Sequence, residues 1–452
     1  MHAFLVSAAA FLVLVGVMVI VHELGHFTVA KLFKVRVEAF SFGFGPRLFG
    51  FKYGDTDYKV CALPLGGFVK MTGENPTEES AGEAANDPGA FTSHPRWQRM
   101  LIGLAGPCAN FVLTLALMFV YYAAINEVPA VSVTSTTVEW VIPDTAASDA
   151  GILPGDQIVH FDTVSNPDWY QVLTHSQISA NQTVPVSVLR AGQTLQLSFH
   201  VPASAKNEDF EWGNEGLLPQ YLPGPIAVSQ VSPGLPAAQA GMRAGDQISA
   251  VDGLAFHSVN TLLTYMQAGK GKPVTLTVLR NGATLTLTAT PAKLDTRWML
   301  GISTQPIPIR PEPLSLAAAA KQSVNFFEDN SLLAVEVIER LFSHRLSVTQ
   351  LMGPVGIARA AGEAAETEGW LPKFGLAGMI SLQLGILNLL PFPILDGGMI
   401  VLLLIESLIR HDISLAVKER IYQAAFVVLM AFFAFVLIND VSKLPFFIHG
   451  KP

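Results

Sequence analysis

Apolar residues fall into four long runs, with the polar residues gathered between them. Ala3 to Val21, Leu101 to Ile125 and Ile421 to Ile438 each approach the ~20 apolar residues that a bilayer-crossing helix requires. A further run lies within Phe374 to Ile409 and is too long for one simple helix. The pattern predicts four transmembrane helices. From Val35 to Val69 apolar positions are interleaved with glycines and aromatics, and Val37 to Phe42 and Tyr58 to Leu63 read as strands of a β-hairpin at the membrane interface. Gly73 to Gly89, rich in Glu, Pro, Gly and Ala, reads as a flexible loop. From Leu314 to Phe342 the spacing of Val324, Phe327, Leu332, Val335, Ile338 and Leu341 predicts an amphipathic helix, lying on the membrane or against the modules that precede it.

Those modules show as an internal repeat. Gly151-Ile152-Leu153-Pro154-Gly155-Asp156-Gln157-Ile158 recurs 90 residues later as Gly241-Met242-Arg243-Ala244-Gly245-Asp246-Gln247-Ile248. Val188-Leu189-Arg190 recurs at the same offset as Val278-Leu279-Arg280. That period is too long for a solenoid and implies two copies of one small domain. The G-D-x-I turn with a V-L-R-x-G hairpin resembles the PDZ domain, which implies capture of peptide C-termini by strand addition. Leu222-Pro223-Gly224-Pro225-Ile226 is the candidate carboxylate loop of the second copy; the alternative is that both copies are spacers or steric filters.

Composition agrees with a membrane protein. Of 452 residues 50% are hydrophobic and 14% charged, against roughly 25% charged in soluble domains. The net charge of −8 and the absence of a Lys/Arg block exclude nucleic acid as a partner. Cys61 and Cys108 make no disulfide framework, and Cys108, inside an apolar run, reads as a small core residue. No Lys or Arg precedes the first apolar run, so it is not read as a cleavable signal peptide. Nine Lys and Arg residues lie between Lys31 and Arg99, and Arg410, Lys418 and Arg420 lie between the last two spans. The positive-inside rule puts both loops in the cytoplasm, with the termini and the repeated modules outside.

The chemistry begins where the first apolar run ends, at His22-Glu23-Leu24-Gly25-His26. On a helix, histidines four residues apart share a face and can hold one Zn²⁺, while the glutamate can take a proton from water. Three ionisable residues at the end of a span are costly unless functional. A third ligand is missing locally. Asn388-Leu389-Leu390-Pro391-Phe392-Pro393-Ile394-Leu395-Asp396-Gly397-Gly398 breaks the third span, and Asp396 is a carboxylate in that break whose burial coordination would offset. Glu38 and Glu74 are weaker rivals. A metal transporter would carry ionisable groups along its spans, whereas here they cluster at two points. A membrane scaffold with a structural metal and peptide-binding modules is the non-enzymatic alternative.

Together with Phe42 to Pro46, Pro64 to Met71 and Ala105 to Phe111, these motifs resemble the site-2 protease family of intramembrane zinc metalloproteases, in its regulator-of-sigma-E branch with tandem PDZ modules. Met399 departs from the branch, where a histidine is common. The resemblance implies a multi-span α-helical membrane protein of the bacterial inner membrane, with four transmembrane helices, a membrane-associated β-hairpin and two inserted PDZ-like α/β domains. Residues 1–126 and 373–452 are expected to form the membrane core, 127–215 and 216–308 the PDZ-like domains, and 309–372 a helical connector. It further implies cleavage of single-pass transmembrane proteins and signal-peptide remnants in the lipid bilayer, after prior trimming. Zn²⁺ would be held by His22, His26 and Asp396, with Glu23 as general base. Asn388 and the hairpin at Gly43 and Gly45 would bind the unwound substrate backbone, and Asn110 would do likewise or simply pack between helices.

Overall fold

The computed structural model of the chain describes residues 2–74, 87–128, 135–202, 216–220, 226–294, 297–304, 310–343, 345–350 and 352–442. They divide into two compact units, Met1–Glu127 with Pro311–Pro452, and Val128–Arg310.

In the first unit, helix α1 (His2–Leu32) carries the apolar run straight through the histidine motif. A ribbon follows, strands β1 (Val37–Tyr53) and β2 (Thr56–Met71), which folds on itself. Ala39 to Phe42 pairs with Lys70 to Gly67 on one side and with Asp57 to Val60 on the other, while Arg47 to Tyr53 pairs back onto Cys61 to Thr56. The stretch 67–71 therefore forms an outer edge. Helix α2 (Arg96–Ala124) buries Arg99, Ile102, Gly103, Gly106, Asn110, Thr114, Met118 and Tyr121. This is a stripe at helical spacing that faces the rest of the unit. Cys108 lies off that stripe and is exposed, so it is not the core residue expected; Cys61, on β2, is buried.

After the second unit come α3 (Leu316–Phe342), α4 (Pro354–Glu366), α5 (Leu371–Asn388), α6 (Asp396–Ile409) and α7 (Leu415–Ser442). The expected amphipathic helix is α3, but it turns its small residues inward. Ala319 and Ser323 are buried and Phe327 meets Phe111 of α2 at 5.5 Å, while Val324, Leu332 and Val335 are exposed. Small side chains allow close helix approach, and large apolar ones suit a lipid-facing surface. Among the described residues three helices are long and apolar enough to cross a membrane, Leu5–Leu32, Arg96–Ala124 and Leu415–Ser442. The remaining apolar run forms two shorter helices, α5 of 18 residues and α6 of 14, with non-helical 389–395 between them. Pro391 and Pro393 lack the amide hydrogens that would continue the ladder.

The second unit contains the repeats. In the first, strands Val164–Ser165, Gln157–Phe161, Thr183–Arg190 and Gln193–His200 lie in that order, and Val138–Val141 pairs with Leu217–Pro219. The second is a five-stranded sheet in the order Ala283–Ala289, Val274–Arg280, Gln247–Val251, Ile226–Val231, Ile302–Thr304. The repeated motif is a structural staple. Asp156 and Asp246, both 1% exposed, each accept from an arginine of the V-L-R hairpin, Arg190 and Arg280, at 2.7 Å. Each arginine also reaches back to the carbonyl of Gly151 or Gly241. The Arg280 guanidinium holds Asp246 below the usual carboxylate range.

Of the candidate carboxylate loop, 222–225 lies outside the described residues, and Ile226 opens a strand with neighbours on both sides. The sheet edge next to Ile226–Val231 is Ile302–Thr304, entered through Gly301 at φ +80°; its counterpart Leu217–Pro219 is entered through Gly216 at φ +84°. A strand-adding groove needs a free edge, which Ile226–Val231 lacks.

Candidate metal centre

His22, Glu23 and His26 occupy consecutive turns near the C-terminal end of α1, where α2 crosses it closely. Gly25 and Gly106 make that crossing possible. A side chain on Gly25 would strike the Ala105 carbonyl, and one on Gly106 would strike the His26 imidazole. Asp396, the first residue of α6, enters from the other side through the fold-back of 389–395. His22 Nε2 lies 3.2 Å from His26 Nε2 and 3.1 Å from Asp396 Oδ2, and His26 Nε2 lies 3.4 Å from the same oxygen. One donor atom from each of these residues lies within 4.8 Å of the others.

The protonation pattern fits a cation between them. His26 Nδ1 donates to the Ile102 carbonyl at 2.7 Å, which leaves its Nε2 lone pair pointing at the other two groups. His22 Nδ1 lies 3.2 Å from the Asn110 amide, whose Oδ1 is buried without a partner. Rotating that amide by half a turn lets Oδ1 accept from Nδ1–H, since the oxygen and nitrogen of an asparagine are assigned from their surroundings. His22 Nε2 then also presents a lone pair. Asp396 Oδ2 is buried and has no hydrogen-bond donor. Two lone pairs and a carboxylate oxygen converging without a proton is the donor set of a divalent cation such as Zn²⁺. Gly106→Ala should push both imidazoles off this geometry. Its affinity for divalent metal is expected to fall at least about tenfold, measured as metal retained after dialysis against a graded chelator.

Beside this group opens a cavity of about 900 Å³, lined by His22, Glu23, His26 and Asp396, by Phe68, Val69 and Met71 of the ribbon edge, and by Asn388. Glu23 is half-buried, with its Cγ against Gly67 of that edge. Asn388, at the end of α5, faces the cavity as expected of a substrate contact. Asn110 does not: it is fully buried behind His22, and its carbonyl accepts from Thr114 and Ser381. Its amide lies 3.2 Å from His22 Nδ1, and it is not among the residues lining the cavity. Gly43 (φ +84°) and Gly45 (φ +88°) lie where the ribbon bends and do not line the cavity; Gly43 is packed against the Leu63 carbonyl.

The ribbon residues that do line the cavity are Phe68, Val69 and Met71. Their signal was the Pro64 to Met71 motif, which carries no chemistry legible by residue type. Of the rival ligands, Glu38 pairs with Lys70 at 2.7 Å, and that ammonium holds it below the usual carboxylate range. Glu74 lines the cavity, and burial pushes it up to about 7. Neither belongs to the convergent group. Met399 lines the cavity and fills the space beside Gly103.

Comparison with known proteins bears on this geometry. Residues 10–432 match the model of peptidase family M50. The regulator of sigma-E protease RseP of Salmonella typhimurium is 32% identical over 467 residues, 98% of this chain and 100% of the relative. Its Escherichia coli K12 counterpart is 31% identical over 465 residues, again 98% of this chain and 100% of the relative. A Pasteurella multocida protein named "Putative zinc metalloprotease PM1991" is 32% identical over 465 residues, with the same coverage. Among solved structures, the PDZ domain of an SdrC-like protein from Listeria monocytogenes matches 19% of this chain and 92% of its own length, at 23% identity and a TM-score of 0.18.

Proposed function

The chain belongs to peptidase family M50 and is a membrane zinc metalloprotease, and from that premise we propose that it hydrolyses peptide bonds of single-pass membrane proteins within the bilayer. Its substrates are proteins of anti-sigma-factor type, already trimmed outside the membrane, and remnant signal peptides. The observation that carries this reading is the convergence of His22, His26 and Asp396 beside Glu23 in one cavity. His22, His26 and Asp396 would hold Zn²⁺, which when bound would polarise a carbonyl and lower the pKa of water.

Glu23 accepts the proton of the attacking water and returns it to the leaving amine. A helical substrate must first unwind, because its carbonyls are tied into the i to i+4 ladder. The outer edge at 67–71, where the Met71 amide meets the Glu74 carboxylate, supplies replacement backbone partners by strand addition as substrate displaces such contacts, and the Asn388 amide binds the freed carbonyl next to the cut. The broken run α5–α6 counts as one crossing in this reading, which makes four. The charge of the loops then puts the site on the cytoplasmic side and the PDZ-like modules, the first including Leu217–Pro219 and the second Ile302–Thr304, outside the bacterial inner membrane. There they either take peptide ends or exclude untrimmed ectodomains.

The test is metal analysis of the purified full-length protein together with cleavage of a model transmembrane peptide. About one zinc per chain is expected, with cleavage that a chelator stops and added zinc restores. Cleavage indifferent to the chelator would refute the metalloprotease mechanism.

A further inference from the structure

The cavity extends past the convergent group to an end that hydrolysis, as described, leaves unused. Arg99, Glu406 and Lys418 line it there. Arg99 is 8% exposed, and its guanidinium lies over the Phe91 ring at 5.1 Å from the centroid. Its Nε has no hydrogen-bond partner among the described residues. Glu406 is fully buried but already engaged, by Lys418 at 2.6 Å and by the Ile413 amide at 3.0 Å. Lys418 and the Ile413 amide engage one oxygen of Glu406 and leave its Oε2 without a partner among the described residues. Arg99 feels the charges of Glu406 and Asp412 but forms an ion pair with neither, so its Nε donor remains unused. Stacking on Phe91 holds the guanidinium plane in place. A buried charge with unused donors is costly until an anion meets it, and a planar guanidinium is built to meet a carboxylate. Arg99 also stands three residues, ~4.5 Å along the helix axis, from Ile102, whose carbonyl fixes His26.

Resting on the protease reading, we propose that Arg99 is a specificity residue that binds a carboxylate of the peptide in the cavity. That carboxylate is either an acidic side chain near the cut or the carboxylate that hydrolysis creates. Hydrolysis consumes one water, and the acyl fragment leaves with a carboxylate and the other fragment with an amine. A carboxylate held by Arg99 would therefore distinguish the acyl product from the uncut strand, or an acidic sequence from a neutral one.

The experiment measures dissociation constants on full-length Glu23→Gln protein, which needs no turnover. The probes are labelled fragments of one transmembrane peptide, each ending in a carboxylate or an amide, and uncut peptides with Glu or Gln at each position beside the cut. At least about tenfold tighter binding of the acid is expected in one of the two sets. A preference in the first set identifies the product carboxylate as the source, and one in the second identifies a side chain. Arg99→Gln should abolish that preference and Arg99→Lys retain part of it, at unchanged zinc content. Equal binding of acid and neutral probes in both sets overturns the proposal before any Arg99 variant is made. So does a preference that survives Arg99→Gln. If the native enzyme cleaves its substrate but neither set shows a preference, the role of Arg99 fails and the protease reading stands. If it cleaves nothing, that reading fails and the binding comparison still decides Arg99.

Discussion

Glu23→Gln is expected to retain its zinc and to lose turnover by about 10²–10⁴-fold, the range that a positioned general base contributes. The side chain is isosteric and lies half-buried against Gly67, so the amide fits the same space. The ligand group of His22, His26 and Asp396 does not include it. What the amide loses is the capacity to take a proton from water and deliver it to a leaving amine. The loss should therefore fall on kcat, with substrate affinity nearly unchanged. The measurement is single-turnover cleavage of a transmembrane peptide alongside zinc analysis of the same sample. Full-rate cleavage by this variant would remove Glu23 from the mechanism. Loss of zinc together with rate would recast it as a ligand or as a support of the fold.

Asp396→Asn has the second large effect, with a different signature. Its Oδ2 lies 3.1 Å and 3.4 Å from the two Nε2 atoms and has no hydrogen-bond donor. An amide in that position offers a weaker, neutral oxygen or turns its NH₂ toward two lone pairs. Zinc occupancy after dialysis should fall by at least about tenfold. Activity should fall with it and recover partly as zinc is raised, which separates this variant from Glu23→Gln. A variant with full zinc and full rate would remove Asp396 from the ligand set and reopen the case for Glu74, the other carboxylate of the rival pair that reaches the cavity.

Much of this site is legible as local pattern. Spacing alone puts His22 and His26 on one face of a helix, and the apolar run before them says that the helix is in the membrane. The two prolines at 391 and 393 announce a break, and the structure has one at 389–395. Asp396 stands out because an isolated carboxylate in an apolar run is costly. The repeat of Gly151 to Ile158 at Gly241 to Ile248 is equally plain, and the Asp–Arg staples explain why those letters recur.

Other features were not legible, for reasons that are physical. Asn110 reads as a polar residue in a span, with nothing to say whether it meets substrate or protein; the answer depends on which side of α2 faces His22. Gly43 and Gly45 attract attention by type, yet Phe68, Val69 and Met71 line the cavity, because the ribbon folds on itself and brings its far edge to α1. Cys108 and the outward face of α3 show the same limit. Hydrophobicity marks what avoids water, and in a membrane protein lipid satisfies it as well as a core does.

By itself the sequence determined the apolar runs, the histidine pair with its glutamate, the break before Asp396 and the duplication of a small domain. Each rests on periodicity or on the cost of a polar group in an apolar stretch, which neighbouring residues alone establish. Only the tertiary structure decided that Asp396 meets His22 and His26, that Asn110 backs the metal group, and that the 67–71 edge and Arg99 share its cavity. Those are contacts between segments far apart in the chain, set by how closely α1 and α2 pack at Gly25 and Gly106 and by where the prolines turn the chain back.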